Sequence, residues 1–276
     1  MNQGFFRFHL DKYRTETLKN NKKAQVMCVA SGKGGVGKTF FTTNFAKYLD
    51  SKGKKVLLID CDVYLSNCYL SFGVTPGKDL FDLIDGDDFS ECVTKVGGID
   101  LISGRNGNEI DSEGDYVKTI LSMIQSLEFS YDYILLDCPA GIDNKVLSLM
   151  AYCDERVLLL NPNKYSLTDA YSLIKTLRLR YGVKFFKTII NRCDEARVGK
   201  DLTTRLINTC HSFLPDVTVQ NIGDIPTYVG VQSIEAEINS TYTNLNNVFH
   251  LLNDKEAEGS EYYLQSNLEM EFQVSF

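Results

Sequence analysis

The run Ser31-Gly32-Lys33-Gly34-Gly35-Val36-Gly37-Lys38-Thr39 constrains the fold more than any other stretch of the chain. Ahead of it, Ala24 to Ala30 is apolar and partly β-branched; behind it, Phe41, Phe45, Tyr48 and Leu49 recur on one side of a helical period. A glycine-rich turn between a strand and a helix is the setting of a phosphate-binding loop. The glycines leave backbone N–H groups open to phosphate oxygens, and the helix that follows points its positive end at them. Lys38 supplies a point charge to the β- and γ-phosphates, and the Thr39 hydroxyl is a ligand for Mg²⁺. Gly34, Gly35, Val36, Gly37, Lys38 and Thr39 are therefore the candidate nucleotide contacts.

Apolar runs that read as strands alternate with helical patterns along most of the chain. Lys54 to Asp60 reads as a buried parallel strand that ends in acid, and Tyr131 to Asp137 repeats the design, as a Walker B strand that delivers one acid beside the metal. Further strands are predicted at Gly98–Gly104, Val157–Pro162, Phe185–Arg192 and Thr218–Asp224. Helices are predicted at Asp79–Gly86, Tyr116–Leu127, Ser166–Lys175 and Val231–Leu252, with Ser166 and Asp169 as a capping pair. Such alternation implies an α/β fold with a mostly parallel sheet and helices on both faces, and with the glycine-rich loop it resembles a P-loop NTPase. The main domain is placed at residues 24–253, between a basic segment, 1–23, and an acidic tail, 254–276.

Composition narrows the classes. In 276 residues, 43% are hydrophobic, enough for a substantial core. A net charge of −7 argues against non-specific binding to nucleic acid. The 8 cysteines are scattered without Cys-x-x-Cys spacing, which points to a reduced, cytoplasmic protein without an iron–sulfur or zinc site. No apolar run approaches the ~20 residues of a membrane span, and no signal peptide is evident.

Lys33 narrows the class further. Lys-Gly-Gly-Val-Gly-Lys-Thr is the deviant Walker A wording, and the chain resembles the MinD and ParA family of ATPases over roughly residues 24–250. The resemblance implies ATP and Mg²⁺ as ligands and an ATP-dependent homodimer, in which Lys33 reaches the nucleotide of the partner subunit. A solvated loop charge is the other reading of Lys33. Asp60-Cys61-Asp62 through Asn67 resembles switch I of the family, with Tyr64 where a glycine is usual; Asp62 would orient the attacking water, and Asp60 would help hold the metal shell with Thr39 and Asp137. Cys138 to Asp143 resembles switch II, where the Gly141 backbone would sense the γ-phosphate. By the same resemblance Asn191 would read the adenine edge, Arg192 would shape that pocket, and the loop at Pro226 would close over the base.

Ser166-Leu167-Thr168-Asp169-Ala170-Tyr171 through Lys175 is similar to the flagellar-number regulators FlhG, also called FleN. That similarity implies an SRP-type, FlhF-like GTPase and flagellar switch proteins as partners, with recruitment to a cell pole or membrane site through a partner. Positioning of a division site or another cargo is the alternative, and a tyrosine kinase or a non-hydrolysing regulator stands behind it. Lys175, Arg178, Arg180 and Lys184 either complement a helix end or form a docking patch. In the first segment, Phe6, Leu10, Tyr13 and Thr17 fall at helical spacing among Arg7, Lys12, Arg14, Lys19, Lys22 and Lys23, which suits docking on a partner, on a membrane surface or on the domain itself. The tail sets the single Lys255 against Asp254, Glu256, Glu258, Glu261, Glu269 and Glu271, so it lacks the basic membrane helix common in MinD proteins. Its alternation from Leu268 to Phe276 suits a strand, a helix or a partner-induced fold.

Overall fold

The structure is a computed structural model and describes residues 22–62, 66–105, 116–227 and 243–253. Strands β1 (Gln25–Ala30), β2 (Val56–Asp60), β3 (Thr94–Val96), β4 (Ile99–Ile102), β5 (Tyr133–Asp137), β6 (Glu155–Leu160), β7 (Phe185–Asn191) and β8 (Thr218–Ile225) form one sheet. Their spatial order is β3-β4-β2-β5-β1-β6-β7-β8. Every pairing is parallel except the edge pair β3 and β4. The short antiparallel β3 is absent from the sequence reading because Thr-Lys-Val carries too few residues for a period to show.

The central strands β1, β2 and β5 are apolar almost to their ends because they are buried on both sides. Along β1, Val26, Cys28 and Ala30 enter one core and Met27 and Val29 the other. Helices α5 (Tyr116–Leu127), α6 (Asn144–Tyr152), α7 (Ser166–Tyr181) and α8 (Ala196–Phe213) supply buried side chains to the first core. The second is closed by α1 (Lys38–Ser51) and α9 (Thr243–Asn253), with the single-turn α2 (Cys68–Phe72) beside them. Two further short helices, α3 (Leu80–Asp85) and α4 (Phe89–Cys92), lie between β2 and β3 in the chain.

Several sequence expectations change in detail. Ser166 does not cap its helix: it is the first helical residue and buried, and the Asn163 side chain accepts from the Tyr165 and Ser166 amides instead. Helix α3 has the expected Gly86 terminus at φ 111°, and Asp79 caps its start. Arg105 bridges Asp79 and Asp82 across that cap. The third strand shortens to Ile99–Ile102, and the described part of the last helix begins at Thr243. In the basic stretch, Arg178 and Lys184 converge on Asp216 and Arg180 donates to Asn144, so these charges serve tertiary contacts. The 1–21 segment, Tyr64, most of the polar loop after Gly104 and the 254–276 tail lie outside the described residues.

Phe249 on α9 joins the second core through rings: its centroid lies 5.4 Å from Phe41, 5.3 Å from Phe45 and 5.4 Å from Tyr48 on α1. It is fully buried, so truncation leaves a cavity directly behind the helix that carries Lys38 and Thr39. Phe249→Ala is expected to cost about 3–5 kcal/mol of stability. Urea unfolding should show a lower midpoint with an unchanged slope.

Candidate nucleotide and metal site

The carboxyl ends of the parallel strands place the candidate residues together, where ligands bind in open α/β sheets. The phosphate loop leaves β1 and turns at Gly35 (φ 74°) and Gly37 (φ 103°), left-handed conformations that suit glycine. Gly37 has a second reason: a Cβ there would lie 2.4 Å from Asn191 Nδ2. Asn191 is buried at the end of β7, and its Nδ2 donates to the Val36 carbonyl at 2.7 Å. Gly32 abuts α7 so closely that a Cβ would meet Asp169 Cβ at 2.6 Å. From the other flank, the Gly141 amide donates to the Ser31 carbonyl at 3.1 Å. Lys38 Nζ donates to Ser31 Oγ at 3.2 Å, while Lys33, Gly34 and Gly35 are exposed.

Two acids meet beneath the loop because β2 and β5 pair with Asp60 opposite Asp137. Both are about 1% exposed. Asp60 Oδ2 accepts from Ser66 Oγ at 2.7 Å and from the Asn67 and Cys68 amides at 3.0 Å. Its Oδ1 accepts from the Asp62 amide at 3.1 Å. Asp137 Oδ2 accepts from Thr39 Oγ1 at 2.6 Å and from Cys68 Sγ at 3.4 Å, and Thr42 Oγ1 lies 3.1 Å from its Oδ1. Among the described residues neither carboxylate has an ion-pair partner. Burial first, and then the neighbouring Asp60, push the Asp137 carboxyl up to about 7. Burial and the same two acids also push the Cys68 thiol up.

The two buried acids, the Thr39 hydroxyl and an open loop of amides beside Lys38 fit a nucleotide with a hard divalent cation: two anionic groups without a cation are costly to bury. Thr39, Lys38, Asp60 and Asp137 thus come together, with half-buried Asp62 at the rim. Arg192 and Pro226 lie farther along the same edge, where the Cys193 amide donates to the Ile225 carbonyl and the Thr227 amide to Asp194 Oδ1. Arg192 is exposed, with φ 57°. Sequence reasoning missed Ser66, Cys68 and Thr42. Thr42 was accessible to it, since a hydroxyl three residues after Thr39 shares its helical face.

Positions 27–272 match the CobQ/CobB/MinD/ParA nucleotide binding domain. The chain belongs to this family. It is 31% identical over 206 residues to the antiactivator FleN of Pseudomonas aeruginosa, covering 73% of each chain. It is 28% identical over 213 residues to the flagellum site-determining protein YlxH of Helicobacter pylori, covering 75% of this chain and 71% of the relative. Among solved structures, the cell division ATPase MinD of Pyrococcus furiosus superposes with a TM-score of 0.65 at 22% identity, covering 83% of this chain and 98% of that one. That superposition establishes the fold: the family's mostly parallel sheet with helices on both faces.

The raised Asp137 carboxyl gives a pH dependence to the family member's stability in the absence of ligands. A folded-state value of about 7 against 3.8 unfolded means that the protonated carboxyl favours the fold at low pH, and that this contribution is lost as pH rises through 7. Wild type should therefore lose stability relative to Asp137→Asn as the pH rises from about 4 to about 7, the interval between the unfolded and folded values. Urea midpoints across that range measure it; parallel curves would mean that Asp137 is ionised throughout.

Proposed function

We propose that this protein is a Mg²⁺-dependent ATPase that dimerises around ATP and acts as a switch in flagellar number or placement. The observation that carries the chemistry is the convergence of Lys38, Thr39, Asp60 and Asp137 under one loop, with Asp62 at its rim. The metal, held by Thr39 with Asp60 and Asp137 behind it, supplies charge neutralisation at the β- and γ-phosphates. Lys38 and the loop amides bind and orient the phosphates, and Asp62 orients the attacking water. Asn191 holds the loop through Val36 and offers its amide oxygen to the exocyclic amine of adenine, with Arg192 and Pro226 bordering the base. The Gly141 amide, bonded to Ser31 here, exchanges that carbonyl for the γ-phosphate and so reports its presence. Catalysis on this reading is positioning and electrostatics.

The dimer reading is supported by what surrounds the loop. Lys33 is exposed, and so are two large apolar side chains on the neighbouring loops, Ile142 at 51% and Tyr165 at 56%. Apolar exposure beside a charged site suits a surface that is covered in one nucleotide state. The flagellar reading is supported by the similarity to FleN and YlxH and by the Ser166–Lys175 wording. On that reading the partners are an SRP-type GTPase and flagellar switch components.

Light scattering with ATP and Mg²⁺ tests the switch. Asp62→Ala should accumulate as a dimer with turnover reduced by at least about 100-fold, the scale of losing one positioned catalytic group. Lys33→Ala should stay monomeric. Two monomers would count against the trans-lysine arrangement. Gene deletion tests the biology: altered flagellar number with normal division supports the reading, and minicells with normal flagella move the protein to division-site placement.

A further inference from the structure

We propose that Asp60, Cys68 and Asp137 form a seat for a thiophilic divalent cation, of the Zn²⁺ or Cd²⁺ class, beneath the phosphate loop. One donor atom from each residue lies within 4.8 Å of the other two, and all three side chains are buried. They come from three separate elements, the end of β2, the first turn of α2 and the end of β5. A tetrahedral ion with metal–sulfur bonds of about 2.3 Å and metal–oxygen bonds of about 2.0 Å holds its ligands roughly 3.3–3.5 Å apart. The Cys68 Sγ to Asp137 Oδ2 separation is already 3.4 Å. Thr39 Oγ1 donates to the same oxygen at 2.6 Å, a hydrogen bond that holds the carboxylate in place.

A separate observation points to a cation: the two buried carboxylates have no ion-pair partner among the described residues. Oxygen donors alone would suit Mg²⁺, which demands an octahedral shell and keeps its waters. The thiol changes the preference, because sulfur selects softer ions. Cysteine spacing gave no sign of such a site, since two aspartates far apart in the sequence stand in place of further cysteines. On binding, the Cys68 S–H bond breaks, an S–metal bond forms, and the proton leaves to solvent with no change in oxidation state. The ion then occupies Asp137 and ties Cys68 to β5, which opposes loading of the magnesium nucleotide. That inhibition rests on the ATPase reading; the binding site does not.

The test uses the full chain without nucleotide and Cd²⁺ as probe, read by the ultraviolet thiolate-to-cadmium charge-transfer band and by equilibrium dialysis. Wild type and Cys210→Ser should bind one equivalent with the band. Cys68→Ser should lose the band and bind at least about tenfold more weakly, while its cadmium-free melting curve matches wild type. Zn²⁺ should inhibit wild-type ATP turnover at concentrations that Cys68→Ser tolerates. Equal bands and equal affinities in wild type and Cys68→Ser would overturn the proposal. A wild type without turnover would remove the ATPase reading and leave the band to decide the site.

Discussion

Two carboxylates stand side by side because neighbouring parallel strands pair with Asp60 opposite Asp137, and the phosphate end of the molecule is arranged around that crowding. Each acid ends a run of apolar residues that is buried on both faces, so neither can turn to water without leaving the sheet. Hydrogen bonds carry the load instead, and they are divided unevenly. Asp60 takes backbone amides and a serine from the loop after β2, whereas Asp137 takes hydroxyls and a thiol from α1 and α2. Amides are fixed by the backbone, so Asp60 organises a loop. Hydroxyls rotate, so the Asp137 donors can be redirected when a cation arrives.

The phosphate loop itself is held from three sides before any phosphate is present. Asn191 grips the Val36 carbonyl from β7, α7 packs on Gly32 at Asp169, and Gly141 reaches Ser31 from the end of β5. A loop of this composition would lose much backbone entropy on ordering. Here the neighbouring elements bear that cost during folding, and a ligand meets amides already arranged. Preorganised dipoles of this kind bind and stabilise charge without reorganising at the moment of reaction.

The sheet was legible in the sequence because its strands are long apolar runs that end in acid, glycine or asparagine. The loop motif and the two strand-end acids that follow it are brought together by the fold at one end of the sheet. What escaped was set by contacts between distant positions. Asn163 takes the capping role expected of Ser166 because the chain enters α7 through a tight turn that buries the serine. Cys68 reads as one more scattered thiol, since only the fold of the loop after β2 brings it to β5. Edge strand β3 is defined by its partner β4 and not by its own three residues.

The bonds that make the acid pair tolerable also connect the loops that a phosphate would move. Ser66 Oγ donates to Asp60 and accepts from the Gly104 amide at 3.2 Å, so the loop after β2 and the end of β4 share one anchor. Cys68 carries that loop across to Asp137, and the Gly141 amide ties the end of β5 to the phosphate loop at Ser31. Each link is a single hydrogen bond, worth about 1 kcal/mol on balance, so any one exchanges readily for a ligand contact. The links through Ser66 and Cys68 meet at one buried acid pair, so on the proposed function charge that reaches the pair acts on the loop after β2 and on the end of β4. Coupling between distant surfaces requires an element with two arrangements that a ligand can bias. On the function proposed above, that element is the hydrogen-bonded rim around Asp60 and Asp137, biased by the positive charge that reaches the pair.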